Sequence, residues 1–283
     1  MSIQPIDPRT ALPARLIDAM RAVAVGDRLN IAYSGGLDSR FLAFAAKRAG
    51  LDVRLYHATG PHIGDDETRE AVEAAKALGL TVTLVPVNPL DIPKLAEAGK
   101  KRCYVCKAVL MATLLKVVDG GKLCDGTNHS DRNVYRPGKD ALKELGVVSP
   151  LAVAEITKSE IREVGRALGF PHPEQAARPC LLTRFPYGVL PDVRLLALTA
   201  RIETVIGTYP DMEALRFRLR FPDGQHPSLH LEKASLAGID IEKFNAMLLD
   251  LNRRFGPALK AAGAIGEIKT EVFETLSGYF DRI

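Results

Sequence analysis

The sequence predicts an α/β protein: a parallel sheet with crossover helices, joined to a smaller α+β domain. Three features predict it. Apolar, β-branched runs alternate with helix-like segments through about the first 170 residues, the pattern of strands linked by helices. The texture then changes at "FPHPEQAARPCLLTRFPYGVLP", which holds five prolines and little periodicity and reads as a long ordered loop or linker. Beyond it the order helix, strand, strand, helix, strand suggests a compact second unit, so the expected domains are 1–185 and 186–283.

Strands are expected at 28–33, 53–57, 81–85 and 122–125, with a short one at 147–148. Helical patterns at 66–79 and 157–169 end in Gly79 and Gly169, where a residue with positive φ closes a helix. Thr157 and Glu160 have the spacing of a capping box. In "NIAYSGGLDSRFLAF", residues 30–44, an apolar strand breaks into Ser34-Gly35-Gly36 and becomes helix-like from Ser39. Glycines permit that reversal and let backbone N–H groups approach a ligand, and the helix start adds unpaired N–H groups and a positive dipole end. Such a turn suits an anion, and parallel sheets bind ligands at the carboxyl ends of their strands. In the second unit a helix is expected at about 192–206, strands at 216–221 and 228–232, a helix at 241–256 and a last strand at 266–273.

Composition narrows the function classes. Hydrophobic residues make up 47% of the 283 and charged ones 25%, which excludes a disordered or fibrous chain. The net charge is +4, and the compact basic cluster "GKKRCYVCK" (99–107) permits a polyphosphate or RNA partner. A solvated face is the commoner origin of such a cluster, so a nucleic-acid partner is not expected. No apolar stretch reaches the roughly 18–20 residues that span a bilayer, and "MSIQPIDPRTALPARL" lacks the order of a secretion signal. A cytoplasmic protein is expected, with no membrane partner. Its four cysteines are then poor disulfide candidates, and the C-x-x-C pair Cys103 and Cys106 needs another role.

The glycine turn lacks the lysine of a GxxxxGK[ST] loop. It resembles instead the SGGxDS motif of the PP-loop ATP pyrophosphatase superfamily (adenine nucleotide alpha hydrolase-like fold), whose members cleave ATP between the α- and β-phosphates. The resemblance implies that the loop N–H groups of Gly35 and Gly36 and the hydroxyls of Ser34 and Ser39 hold pyrophosphate. It also implies that Asp38 helps place Mg2+. Preorganised donors and a metal ion neutralise a departing pyrophosphate, and the acceptor leaves as an adenylate primed for substitution by nitrogen or sulfur.

The cysteines bear on that choice. Cys180, in "ARPCLLTRFPYG", lies in a proline-bounded loop four residues before Arg184, a cation that can favour a thiolate or hold a phosphate. Cys103 and Cys106 read either as a helix-start pair of buried thiols or as ligands. A zinc site would need a second C-x-x-C, which the sequence lacks, or an H-x3-5-H at finger spacing after the pair, and none follows there. With the distant Cys180 they make three thiolates, enough for three irons of a [4Fe–4S] cluster, whose open fourth iron can carry an extra sulfide.

"SGGLDS", "RCYVCK", "DGTNHSDRNVYRPG" (125–138), "ELGVVSPLAVAEITKSEIREVGRALG" (144–169) and "PCLLTRFPYG" (179–188) occur together in this order. In that order and spacing the chain resembles the LarE family of ATP-dependent sulfur transferases of nickel-pincer cofactor biosynthesis, over about residues 25–190. The resemblance implies adenylation of a phosphate-bearing small-molecule carboxylate, pyridinium-3,5-biscarboxylic acid mononucleotide, then sulfur insertion to give a thiocarboxylate. Some members sacrifice the sulfur of the cysteine matching Cys180; others, with "RCYxCK", use it with the C-x-x-C pair to bind a [4Fe–4S] cluster. All three cysteines stand here, which favours the cluster form, fed by a sulfur donor. The resemblance further implies nucleotide contacts from Asp125 and Gly126, catalytic roles for Arg184 and Glu203, a substrate-phosphate site at Arg218 and Arg220, and a homo-oligomer.

The chain also departs from the family. Arg132 stands near where some members carry an acid, "FPDGQHPSLHLE" replaces a polar "HxxxARIE" stretch, and the tail "EIKTEVFETLSGYFDRI" matches loosely. Those changes fall where acceptor recognition would lie. A tRNA-thiolating enzyme, an ammonia-using adenylating ligase and a non-catalytic nucleotide- or cluster-binding protein therefore stay open. Cys124 reads as buried packing, His57 as adenine lining or a capped strand end, and His129 as a loop residue able to face ATP. His62, His172, His226 and His230 are assigned no role.

Overall fold

The computed structural model describes residues 11–133 and 138–282. The opening residues read for a signal, the Arg132 side chain and residues 134–137 of the "YRPG" motif lie outside the described residues. Two compact units emerge. The first gathers the chain up to Gly60 with Glu67–Pro89 and Cys103–Arg178, and the second Pro61–Asp66, Leu90–Arg102 and the chain from Pro179 onward.

The first unit runs α1 (Ala14–Arg21), β1 (Arg28–Ala32), α2 (Leu37–Arg48), β2 (Asp52–Thr59), α3 (Asp65–Ala77), β3 (Val82–Pro86), α4 (Arg102–Leu115), β4 (Leu123–Cys124), α5 (Gly138–Glu144), α6 (Pro150–Val153) and α7 (Lys158–Ala167). Its four strands are ordered β3-β2-β1-β4 and all pair parallel, Leu29 opposite Val53, Leu55 opposite Val82 and Ile31 opposite Cys124. The expected strand at 147–148 is a single parallel bridge, Cys124 to Val148. Gly146 turns the chain just before it and Pro150 starts α6 just after, so only the Val148 N–H and C=O reach the sheet.

Strand order reverses at β1. The chain after β1 moves toward β2 and β3, and β4 returns on the other side, so the carboxyl end of β1 is the crevice where such sheets take ligands. The core packs here too: Leu29 and Ile31 meet Phe41, Leu42, Ala45 and Ala46 of α2. Eight of the twelve α2 residues are buried, which makes it a central helix and fixes its first turn. α2 begins at Leu37, two residues before the expected start, because Gly36 takes the N-cap. At α7 the Thr157 hydroxyl accepts from the Glu160 N–H at 3.2 Å. The Glu160 carboxylate pairs with Arg15, so half of the expected capping box forms.

The second unit contains the short 3-10 turn Leu181–Arg184, α8 (Val193–Ile206), β5 (Phe217–Arg220), β6 (Ser228–Glu232), α9 (Ile241–Ala261), β7 (Lys269–Phe273) and α10 (Tyr279–Arg282). Its sheet is ordered β5-β6-β7; β6 pairs antiparallel with β5 and, after the α9 crossover, parallel with β7. Strand alternation turns Leu219, Leu229 and Leu231 to one face and Arg218, Arg220 and His230 to the other. β5 is an edge strand, and its outer side is closed from elsewhere. The Leu219 N–H donates to Glu203 Oε1 (2.8 Å) and the Phe221 N–H to the Arg184 carbonyl (2.8 Å). Among the described residues no helix is long and apolar enough to cross a membrane.

Candidate functional site

The glycine turn occupies the switch point. Gly35 sits at φ 74°, and a Cβ there would lie 2.4 Å from the Ala71 Cβ of α3, so both the left-handed backbone and the close approach require glycine. Ser34 and Ser39 come together, their hydroxyl oxygens 3.0 Å apart. The Ser34 N–H donates to Ser39 Oγ (3.2 Å), Ser39 Oγ donates to the Gly36 carbonyl (3.2 Å), and the Gly36 N–H donates to Ser34 Oγ (3.3 Å). Gly36 caps α2 without a side chain, which leaves the first-turn N–H groups of the helix to the loop. Asp38 belongs to that turn, with its Oδ2 3.8 Å from Lys158 Nζ.

Asp125 and Gly126, at the end of β4, stand against the same turn. A Cβ at Gly126 would meet the Ser39 nitrogen at 2.6 Å, so two main chains touch where only glycine fits. The buried Asp125 carboxylate accepts from Thr127 Oγ1 (2.6 Å) and Ser149 Oγ (2.5 Å), and Lys107 Nζ lies 3.9 Å away. The structure therefore gathers Ser34, Gly35, Gly36, Asp38, Ser39, Asp125 and Gly126 at one strand end. It adds three residues that sequence reasoning left without a role: Lys158, Lys107 and Asn128, whose fully buried amide makes no hydrogen bond among the described residues. Lys158 had a signal. A cation in the first turn of a helix opposes the dipole, so its place implies a nearby anion.

His57 is a capped strand end. It is buried, its Nδ1 lies 2.7 Å from the Tyr33 carbonyl and its Nε2 3.3 Å from Thr68 Oγ1. A carbonyl can only accept, so Nδ1 carries the proton it donates to Tyr33, and burial pushes the pKa below the usual imidazole value. That bond braces the residue just before the glycine turn.

In the second unit Arg184 and Glu203 form a buried two-pronged pair, Nε to Oε1 at 2.8 Å and Nη2 to Oε2 at 2.7 Å. Arg220 is also buried. Its Nη1 donates to His230 Nδ1 (3.0 Å) and its Nη2 to the Leu276 carbonyl (2.5 Å), with the guanidinium 5.0 Å over the Tyr279 ring. Burial, then the charges of Arg184 and Arg218, lower its pKa to about 10; it remains a cation at neutral pH. Burial, then the Arg220 charge, pushes His230 down to about 4, so the imidazole is neutral with Nδ1 accepting. His230 thus has a defined place beside Arg220 that metal-ligand spacing could not reveal. Arg184, Arg218 and Arg220 lie within electrostatic reach of one another, opposed by Glu203 and, beside His230, by Glu271, an excess of cations that suits this face to an anion.

Removing one partner of the Arg184–Glu203 pair leaves an uncompensated charge. Glu203→Leu is expected to lower the unfolding free energy by about 3–5 kcal/mol, read from urea denaturation. The double variant Arg184→Leu with Glu203→Leu should recover much of that loss.

None of the four cysteines is in a disulfide. Cys103 is exposed and Cys106 buried on the first turn of α4, and their i, i+3 spacing puts them on one helix face. They belong to the first unit and Cys180 to the second. Within each unit, among the described residues, no three His, Cys, Asp or Glu side chains gather to hold a metal ion. Cys124 is fully buried, and burial pushes its thiol up to about 12, as its reading as core packing required.

No protein-family profile matches the chain. Individual relatives do. The pyridinium-3,5-bisthiocarboxylic acid mononucleotide synthase of Lactiplantibacillus plantarum is 28% identical over 180 residues, 62% of this chain and 64% of its own length. An uncharacterized protein of Synechocystis sp. is 38% identical over 181 residues, covering 62% of this chain and 68% of that protein. The chain belongs to one family with this Synechocystis protein, and its likeness to the synthase supports a LarE-like family. A third relative, an uncharacterized protein of Methanocaldococcus jannaschii, is 28% identical over 185 residues, 64% of this chain and 70% of its own.

Proposed function

We propose that the chain is an ATP-dependent sulfur transferase that makes a thiocarboxylate from a phosphate-bearing small-molecule carboxylate. The substrate would resemble pyridinium-3,5-biscarboxylic acid mononucleotide, as in nickel-pincer cofactor biosynthesis. The observation that carries this reading is the glycine turn at the switch point, with Ser34 and Ser39 hydroxyls 3.0 Å apart and Asp38 on the same helical turn. Similarity to the L. plantarum synthase supports the choice of sulfur chemistry.

A substrate carboxylate oxygen attacks the α-phosphorus of ATP, the bond to the bridging oxygen breaks, and pyrophosphate leaves. The Gly36 N–H, the two serine hydroxyls and the first turn of α2 hold the phosphates as that charge develops. Lys158 adds a cation there. Asp38 is the hard oxygen donor that would hold Mg2+, which prefers such ligands. The acyl adenylate then takes a sulfide nucleophile at its carbonyl carbon, the carbon–oxygen bond breaks, and AMP departs with both electrons. Arg218 and Arg220 are assigned to the substrate phosphate, with Arg184 and Glu203 bracing the strand that carries them.

The sulfur is assigned to a [4Fe–4S] cluster held by Cys103, Cys106 and Cys180. The donor chemistry fits: these three side chains are thiols outside any disulfide, the kind of ligand such clusters take, whereas burial keeps Cys124 protonated. When bound, the cluster supplies an open iron able to carry sulfide.

A tRNA acceptor fits less well, because the basic stretch is engaged within the protein. Arg102 donates to the Phe185 and Pro186 carbonyls at 3.1 and 2.9 Å, Lys100 to the Asp281 carbonyl at 3.2 Å, and Lys107 stands by Asp125. The test of the reading is pyrophosphate and AMP release from MgATP with candidate carboxylates. Stoichiometric release of both with a thiocarboxylate product is expected. Binding of ATP with no turnover for any acceptor would leave a nucleotide-binding protein.

A further inference from the structure

The proline-rich segment between α7 and Cys180 is pinned to three helices of the first unit. Glu174 pairs with Arg166 (2.8 Å) and Arg162 (3.4 Å) on α7, and Arg178 pairs with Glu70 (2.5 Å) on α3. Arg40 of α2 is buried, with its Nη2 donating to the Pro171 carbonyl (2.8 Å) and its Nη1 to Gln175 Oε1 (2.9 Å). Between these points His172 holds φ 50°, a left-handed conformation disfavoured for a residue with a side chain. The Gln175 N–H closes the turn on the His172 carbonyl at 3.2 Å. So much anchoring fixes one side chain in particular.

Arg40 only donates, so the amide oxygen of Gln175 must face it and the amide nitrogen must point the other way. That nitrogen donates to the Gly35 carbonyl at 3.2 Å. The Gly35–Gly36 peptide is trans and planar, so its C=O and N–H point in opposite directions. With the carbonyl held by Gln175, the Gly36 N–H faces the Ser34 hydroxyl, which itself lies 3.0 Å from that of Ser39. A peptide between two glycines has little steric resistance to flipping. A flip would put a carbonyl oxygen where an anion needs a donor.

We propose that Gln175 is a positioning residue that locks the Gly35–Gly36 peptide with its N–H turned toward the bound phosphates. The proposal rests on the nucleotide-loop reading above. Arg40 orients Gln175, Gln175 orients the peptide, and the peptide meets the anion. The lock acts before nucleotide arrives, so it belongs to preorganisation of the site.

Isothermal titration of the full chain with inorganic pyrophosphate and with MgATP tests it, alongside thermal melting. Gln175→Glu keeps an acceptor for Arg40 but sets a carboxylate oxygen against the Gly35 carbonyl; roughly tenfold or greater weakening of both ligands is expected, at an unchanged or higher Tm. A residue that merely anchored the segment would tolerate this change, because the link to Arg40 survives. Gln175→Met, which is neutral and lacks the donor, should weaken both ligands several-fold. Wild-type affinity in both variants overturns the lock alone, whereas failure of the wild-type chain to bind either ligand overturns the nucleotide-loop reading along with it.

Discussion

Gly35→Ala is expected to abolish nucleotide binding, with at least a hundredfold loss of MgATP affinity by titration calorimetry. Two costs fall on that position. The φ of 74° opposes any side chain, and the new Cβ would stand 2.4 Å from the Ala71 Cβ, a contact neither α2 nor α3 can relieve by a rotamer change. Both helices border the sheet, so the loop must give way. Gly50→Ala is the control: its φ is 80° with nothing within 4 Å of the added carbon. It meets only the backbone penalty, about 1–2 kcal/mol, and should bind MgATP as before. Equal effects of the two changes would mean that close packing of the glycine turn has no part in holding the nucleotide.

Cys180→Ala is expected to stop thiocarboxylate formation while pyrophosphate release continues. The substitution should spare the local structure, because the turn at Leu181–Arg184 uses the main chain of this residue. The Thr183 N–H and hydroxyl both donate to the Cys180 carbonyl, at 3.0 and 2.7 Å, and the thiol caps nothing. The products separate the two half-reactions: coupled pyrophosphate detection for the first, mass spectrometry of the acceptor for the second. Broad absorption near roughly 400 nm after anaerobic reconstitution, of the kind thiolate-bound clusters give, should also be lost. Thiocarboxylate made at the wild-type rate by this variant would remove Cys180 from sulfur transfer.

Much of the first unit was legible in the sequence. Apolar runs marked β1 to β4, and the glycine pair marked the one strand end where the chain must double back and open its N–H groups. Gly79 and Gly169 were read correctly as helix ends and adopt φ of 64° and 71°. What escaped was set by partners far away in sequence. Lys107 stood out only as part of a basic cluster and Lys158 only as a cation at a helix start, until the fold brought each to a carboxylate. The valines at 147–148 have strand character, yet a glycine turn and a proline-started helix leave them room for one bridge. The proline-rich segment was recognised as ordered, but its hold on Gly35 depends on Arg40, 135 residues from Gln175, and no local pattern encodes that. In the second unit strand alternation gave Arg218 and Arg220 one face, whereas the neighbour that orients Arg220, His230, needed the pairing of β5 with β6 to be seen.

The outer side of β5 has an implication for how such a protein can diversify. Glu203 and the main chain at Arg184 shield hydrogen-bonding groups that would otherwise invite another strand. Those positions are committed to architecture before any acceptor arrives. Under the proposed function, a lineage exploring new acceptors would find its latitude elsewhere, in the turn after β5 and in the residues leading to α10, where a change leaves these two seals of the sheet in place.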